Sequence, residues 1–189
     1  MVIKMTKTKK DQNNKQKADA SWLIIVILLS FTISFVMSLI SELIIPNSFI
    51  TVSVFLVLIF IFIGIIFDMI GLAVATAEEK SFHSMATKNV KGAKTAIYFI
   101  NNKDKVASIL NDVIGDICGV VSGSCGLAIS MNMANILGTS KILTTIIITS
   151  IISSLTIGGK AFGKTIAINN CNEIIFEFSK ILNIFSKNK

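Results

Sequence analysis

The sequence predicts an all-α, polytopic integral membrane protein with about four transmembrane helices and a cytoplasmic juxtamembrane amphipathic helix. Three observations predict it. Apolar residues make up 52% of the 189-residue chain and charged ones only 15%, with a mean hydropathy of +0.75; this is the balance of a membrane chain, not of a soluble domain. Four apolar runs are each long enough for a bilayer core, which takes about 20 helical residues. Lysines gather on one side of those runs when the chain is threaded back and forth.

Residues 1–20 are polar and carry Lys4, Lys7, Lys9, Lys10, Lys15 and Lys17; they read as a disordered basic tail. Residues 21–45 form the first span. The run is too long for the apolar core of a signal peptide, and no small-residue cleavage site follows it, so an uncleaved helix is expected. Glu42 falls at its outer end, where interfacial water can solvate it. Pro46-Asn47-Ser48, with the only proline in the chain, marks a turn. Residues 50–77 form the second span.

Residues 78–102 change character. Phe82, Met85, Ala86, Val90, Ala93, Ile97 and Ile100 recur at spacings of three and four, with Lys80, Lys88, Lys91 and Lys94 between them. One amphipathic helix lying at the inner leaflet is expected. The third span covers residues 105–135. In it Gly115, Gly119 and Gly123 recur at every fourth position, a spacing that lets helix backbones approach closely in lipid. The fourth span covers residues 141–167, and its Thr145, Thr149 and Ser153 are expected to bond backbone carbonyls or a neighbouring helix, with the lining of an ion path as the alternative. Residues 172–189 place Ile174, Ile175, Phe178, Leu182 and Phe185 on one face of a second amphipathic helix. Six lysines precede the first span and six lie between the second and third. The N-terminus, the middle helix and the C-terminus are therefore expected in the cytoplasm, and the protein in the cell membrane.

Composition also narrows the chemistry. The net charge of +7 comes entirely from lysine, and the lysines flank apolar runs, so membrane orientation explains them and nucleic acid is not an expected partner. Cys118, Cys125 and Cys171 have no metal-ligand spacing and read as packing residues. His83 is the only histidine, which leaves Ser122-Gly123-Ser124 without a base and rules out a histidine metal cluster. Gly158 to Thr165 matches the Gly-x4-Gly-Lys-Thr pattern of a phosphate loop. It follows a membrane-length run rather than a buried strand, so it reads as a chance match. No enzyme signature remains.

The informative residues are acids inside the apolar runs. Asp68 lies in the second span, and Asp112 and Asp116 lie in the third. A carboxylate at membrane depth costs several kcal/mol unless partnered, which makes each a functional-site candidate. At 1.5 Å per residue, Asp68 is roughly 13 Å, and the other two roughly 10–16 Å, from the inner helix ends. Clustered acids repel unless a cation sits among them. Mg²⁺ favours such oxygen ligands, and Asp68, Asn111, Asp112 and Asp116 are the candidate metal-ligating set. Lys160 and Lys164 lie near the inner end of the fourth span. Each is a candidate to pair with an acid, filling the site, or to snorkel to the interface.

The stretch FDMIGLAVATAEEKSFHSMATKNVKGAKTAIYFINNKDKVASIL, residues 67–110, resembles the transmembrane domain of the CNNM/CorB/CorC family of magnesium and cobalt transport proteins. The matching positions include Ala73, Ala75, Met85, Ala86, Gly92, Ala93, Ala96, Asp104, Ser108, Ile109 and Leu110. The segment GKAFGKTIA from Gly159 is similar to the Gly-Glu-x-x-Pro-Lys-Thr-x-Ala segment that ends the family's last span. The resemblance covers roughly residues 67–184 and rests on no single motif. It implies a CNNM/CorC-like domain over residues 50–170, with 21–45 an additional span. It further implies an inward-open acidic cavity, a homodimer, and Mg²⁺ or Co²⁺ as the ion carried. In the family the ion meets a serine, an asparagine region and a glutamate of the last span. Here Asp68 stands for the serine, Asn111-Asp112 lies near the asparagine region, Lys160 occupies the glutamate position and Gly163 replaces the proline. The family's CBS pair is not in this sequence, so regulation of that kind is expected to be missing or supplied by a separate cytoplasmic partner.

Two functional expectations follow. One is a CorB/CorC-like transport protein for divalent cations. The other is a transport-inactive scaffold or regulator of the same fold, with Lys160 filling the ion site. A proton-coupled carrier using the same acids is a third, weaker one.

Overall fold

A computed structural model describes the backbone of residues 2–44 and 49–186, and side chains from residue 21 onward except 42, 44, 185 and 186. Helix α1 is Val2–Ile44, α2 Ile50–Thr76, α3 Lys80–Thr87, α4 Ala93–Asn101 and α5 Lys103–Ser108. A π-helical stretch, Ile109–Gly115, joins α5 to α6, Asp116–Leu137; α7 is Lys141–Asn169 and α8 Cys171–Ser186. No strand occurs among the described residues. Four helical stretches are long and apolar enough to cross a membrane: Ser21–Ser41, Ile50–Thr76, Lys103–Leu137 and Lys141–Asn169. The expected turn at Pro46-Asn47-Ser48 and the side chain of Glu42 lie outside the described residues.

Three expectations about local structure need correction. The basic segment 1–20 is not irregular: α1 begins at Val2 and runs without a break into the first apolar run. No glycine or proline interrupts residues 2–44, and Lys, Gln, Met and Ala are good helix formers. The middle amphipathic segment is two helices, not one. Asn89 at φ 53° and Gly92 at φ 92° turn the chain between α3 and α4, in the left-handed region that glycine and asparagine tolerate best. The helical stretch Lys103–Leu137, expected as the third span, contains seven π-helical residues, where the helical turn is wider than in an α-helix.

Helices α2, α6 and α7 pack against one another, and the π stretch packs on α2. Their shared apolar layer is formed by Val57 and Ile61 of α2, Val113, and Ile117, Val121, Cys125 and Ile129 of α6. Helix α1 adds only the partly buried Val26, Ile33 and Met37 to that layer. Lys105 sits 5.2 Å from the Trp22 ring centre and ties α1 to the start of α5.

A second apolar layer surrounds the far end of α2. It contains Ala73, Val74 and Ala77, together with Phe82, Ala96, Ile100, Ala167 and Ile175. Helices α3, α4 and α8 thus form a collar, and Phe82, only 1% exposed, plugs it. Val90 and Met85, expected on the buried face, are exposed. Collar polar contacts include Asn101 Nδ2 to Glu79 Oε1 at 3.2 Å and Asn172 Nδ2 to Ser81 Oγ at 3.4 Å.

Candidate functional site

The site forms where α2, the π stretch and α7 approach most closely. On α2, Gly64 and Gly71 face the third span. A Cβ at Gly64 would stand 3.0 Å from Cys118 Cβ and 3.3 Å from the Gly115 carbonyl oxygen. A Cβ at Gly71 would collide with the Asn111 side chain. Missing side chains therefore let the two backbones close on each other. Gly159 and Gly163 do the same on α7, packing against Ile65 and Met69 of α2.

This close packing delivers one lysine to two acids. Lys160 Nζ donates to Asp116 Oδ1 at 2.9 Å and lies 3.7 Å from Asp68 Oδ1. The Lys160 side chain is 19% exposed and that of Asp68 10%, against 67% for Asp116. Asp68 is thus the buried member and Asp116 the peripheral one. Asp68 Oδ2 is buried and accepts no hydrogen bond, and neither does the buried Asn111 Oδ1. Asn111 lies against Gly71, about one helical turn from Asp68 along α2.

Of the four candidate ligands, the structure brings Asp68 and Asp116 together through Lys160. Asn111 sits on the same seam. Asp112 is exposed and shares in none of these contacts. A four-residue spacing puts two residues on one face of a regular α-helix, but Asp112 belongs to the π stretch and Asp116 begins α6. No group of three His, Cys, Asp or Glu side chains placed to hold a metal occurs among the described residues. Lys164 is exposed and belongs to none of the ion pairs found among the described residues.

The arrangement can hold a cation, and in this structure the cation held is the Lys160 ammonium. Two negative charges face one positive charge there. Two further oxygens on the seam are acceptors without donors.

The remaining motifs resolve simply. The phosphate-loop-like Gly158 to Thr165 lies wholly inside α7. Its amides are spent in the helix, and Thr165 Oγ1 donates to the Ala161 carbonyl. Thr149 back-bonds to Thr145 O at 2.7 Å, while Thr145 meets Ser130 of α6 at 2.9 Å, so the hydroxyl line is a helix-packing device. Cys118 and Cys125 are buried and Cys171 half-buried, and none of the three forms a disulfide. The glycine stripe is divided: Gly115 packs on α2, whereas Gly119 and Gly123 face open space.

Reading the sequence alone undervalued Gly64, Gly71 and Gly159, whose positions make the site possible. The signal was there in their spacing: Gly64 and Gly71 are seven apart, two turns of one face, and Gly159 and Gly163 are four apart. No family model, curated protein or solved structure matches this chain.

Proposed function

We propose that the chain is a multi-pass membrane protein that binds and transports a divalent cation, Mg²⁺ or Co²⁺, in the manner of the CorB/CorC proteins it resembles. The observation that carries this reading is Asp68. Its carboxylate is buried in a membrane-length helix, one oxygen on Lys160 and the other unpartnered. Buried carboxylates of this kind mark ion sites and ion paths. Asp68, Asn111 and Asp116 are the proposed first ligands, with Asp112 at the approach to them. An entering ion displaces the Lys160 ammonium. The termini face the cytoplasm, as the lysine distribution directs. The open faces of Gly119 and Gly123 are where a second copy packs in a homodimer. Any coupling to Na⁺ rests on family analogy alone.

The Lys160 contacts favour a second reading, a transport-inactive scaffold whose ion site is filled permanently by that lysine. Calorimetric titration of Mg²⁺ into the purified protein separates the two. The transport reading expects saturable binding that is lost in Asp68→Asn/Asp116→Asn. Absence of binding to the natural chain, with binding gained in Lys160→Met, would establish the scaffold.

A further inference from the structure

We propose that a second copy of this chain seats on the exposed face of the α6–α7 hairpin, held by two symmetric ion pairs between Asp112 of one copy and Lys164 of the other. The inference rests on the membrane placement and the homodimer proposed above, and not on the ion carried.

The register of the hairpin carries it. Only residues 138–140 join α6 to α7, so the two helices run antiparallel. Ser130 Oγ meets Thr145 Oγ1 at 2.9 Å towards one end of the pair, and Lys160 Nζ meets Asp116 Oδ1 at 2.9 Å towards the other. Four residues further towards that end stand Asp112 and Lys164. Each lies roughly 6 Å beyond the Asp116–Lys160 contact at 1.5 Å per residue, so the same register sets them level. Both are exposed, and neither belongs to an ion pair found among the described residues.

Charges at this depth are not left to hydrocarbon. The stem of Lys164 is long enough to carry its ammonium to the interface. The carboxylate of Asp112 stands on a single carbon and has no such reach, so its partner must come to it. Outward from Asp112 the same helical stretch is open to a close neighbour. A Cβ at Gly119 or Gly123 would meet nothing within 4 Å, and Val120 is 64% exposed. Outward from Lys164, Ile157 is 68% exposed.

A two-fold axis along the membrane normal keeps every residue at its own depth and brings α6 of one copy against α7 of the other. Asp112 then faces the partner's Lys164. Seven residues outward on each helix, Gly119 faces the partner's Ile157, a bulky side chain against a missing one. Each contact occurs twice. A hairpin that carries an acid and a base at one depth is complementary to itself, which selects a second copy over an unrelated helix. The partner's ammonium then stands beside Asp112 at the approach to the cation site, so that approach is complete only in the dimer.

The test is sedimentation equilibrium of the full purified chain in density-matched neutral detergent, without divalent cations. Asp112→Lys and Lys164→Asp each place like charges together twice per dimer, and each is expected to weaken the dimer at least roughly a hundredfold. Asp112→Lys/Lys164→Asp restores both pairs, and so does an equimolar mixture of the two single variants, whose heterodimers match acid to base at both contacts. Both are expected within about tenfold of the natural dimer. Rescue by the double variant but not by the mixture would place the pair inside one chain and overturn the proposal. A dimer indifferent to the reversals overturns the ion pairs and leaves the homodimer standing, whereas a monomeric natural chain overturns both. Where a reversal prevents folding, Asp112→Asn and Lys164→Gln take its place. Each is expected to weaken the dimer, and the two together no further than either alone; additive losses overturn the pairing.

Discussion

Basic side chains meet carboxylates both between the long apolar helices and in the collar, but in different surroundings. In the collar, His83 pairs with Glu79 and Lys180 with Glu177, neighbours on one helix turn with exposed side chains. Such pairs contribute little, because water solvates either partner as well as the other does. Between the spans, Lys160 and Asp116 are 44 positions apart, and Asp68 comes from yet another helix. Those three meet only when α2, α6 and α7 have packed, and Asp68 has little water to fall back on. The lesson is that sequence distance and desolvation, rather than the presence of opposite charges, decide which pairs hold a structure.

Three substitutions would break or sharpen that contrast. The largest effect belongs to Lys160→Met. It leaves Asp68 buried and unpaired, and a loss of about 3–5 kcal/mol is expected on unfolding in detergent. Adding Asp68→Asn should recover most of that loss; a Lys160→Met protein as stable as the parent would show that Asp68 is neutralised some other way. Gly92→Ala comes next, at about 1–3 kcal/mol from its left-handed conformation, raised by crowding against the Lys180 backbone. Thermal melting in detergent would read it, and limited proteolysis should show α8 released before the spans. The smallest is Glu177→Gln, expected to move stability by less than about 0.5 kcal/mol. A larger shift in the same melt would mean that the collar pair is far less solvated than its exposure indicates.

The long apolar helices were legible in the sequence because hydropathy acts residue by residue and needs no knowledge of neighbours. The ends of α2 and α7 fall within a few residues of the expected ones. The collar was half legible. Its apolar spacing of three and four continues straight through Asn89 and Gly92, so periodicity hid a break that the residue types themselves signalled. Lys160 was recognisable as a partner for an acid, but not which acid. The structure selects Asp68 and Asp116. That choice depends on how far the third span rotates between Asp112 and Asp116, which a four-residue spacing fixes only in an uninterrupted α-helix. The π stretch has no comparable signature: nothing in Ile-Leu-Asn-Asp-Val-Ile-Gly announces a wider turn.

The π stretch Ile109–Gly115 also bears on how this chain is compared with others. An i→i+5 turn holds one more residue than an α turn. A relative whose third span is a plain α-helix would present the same inward positions with one residue fewer. An ungapped alignment through Leu110 to Gly115 would then pair every residue on one side with the wrong counterpart. A one-residue gap inside the third span, where convention forbids gaps in a membrane helix, is the correct alignment for such a pair. Asn111 and Asp112 are the positions whose assignment it would change.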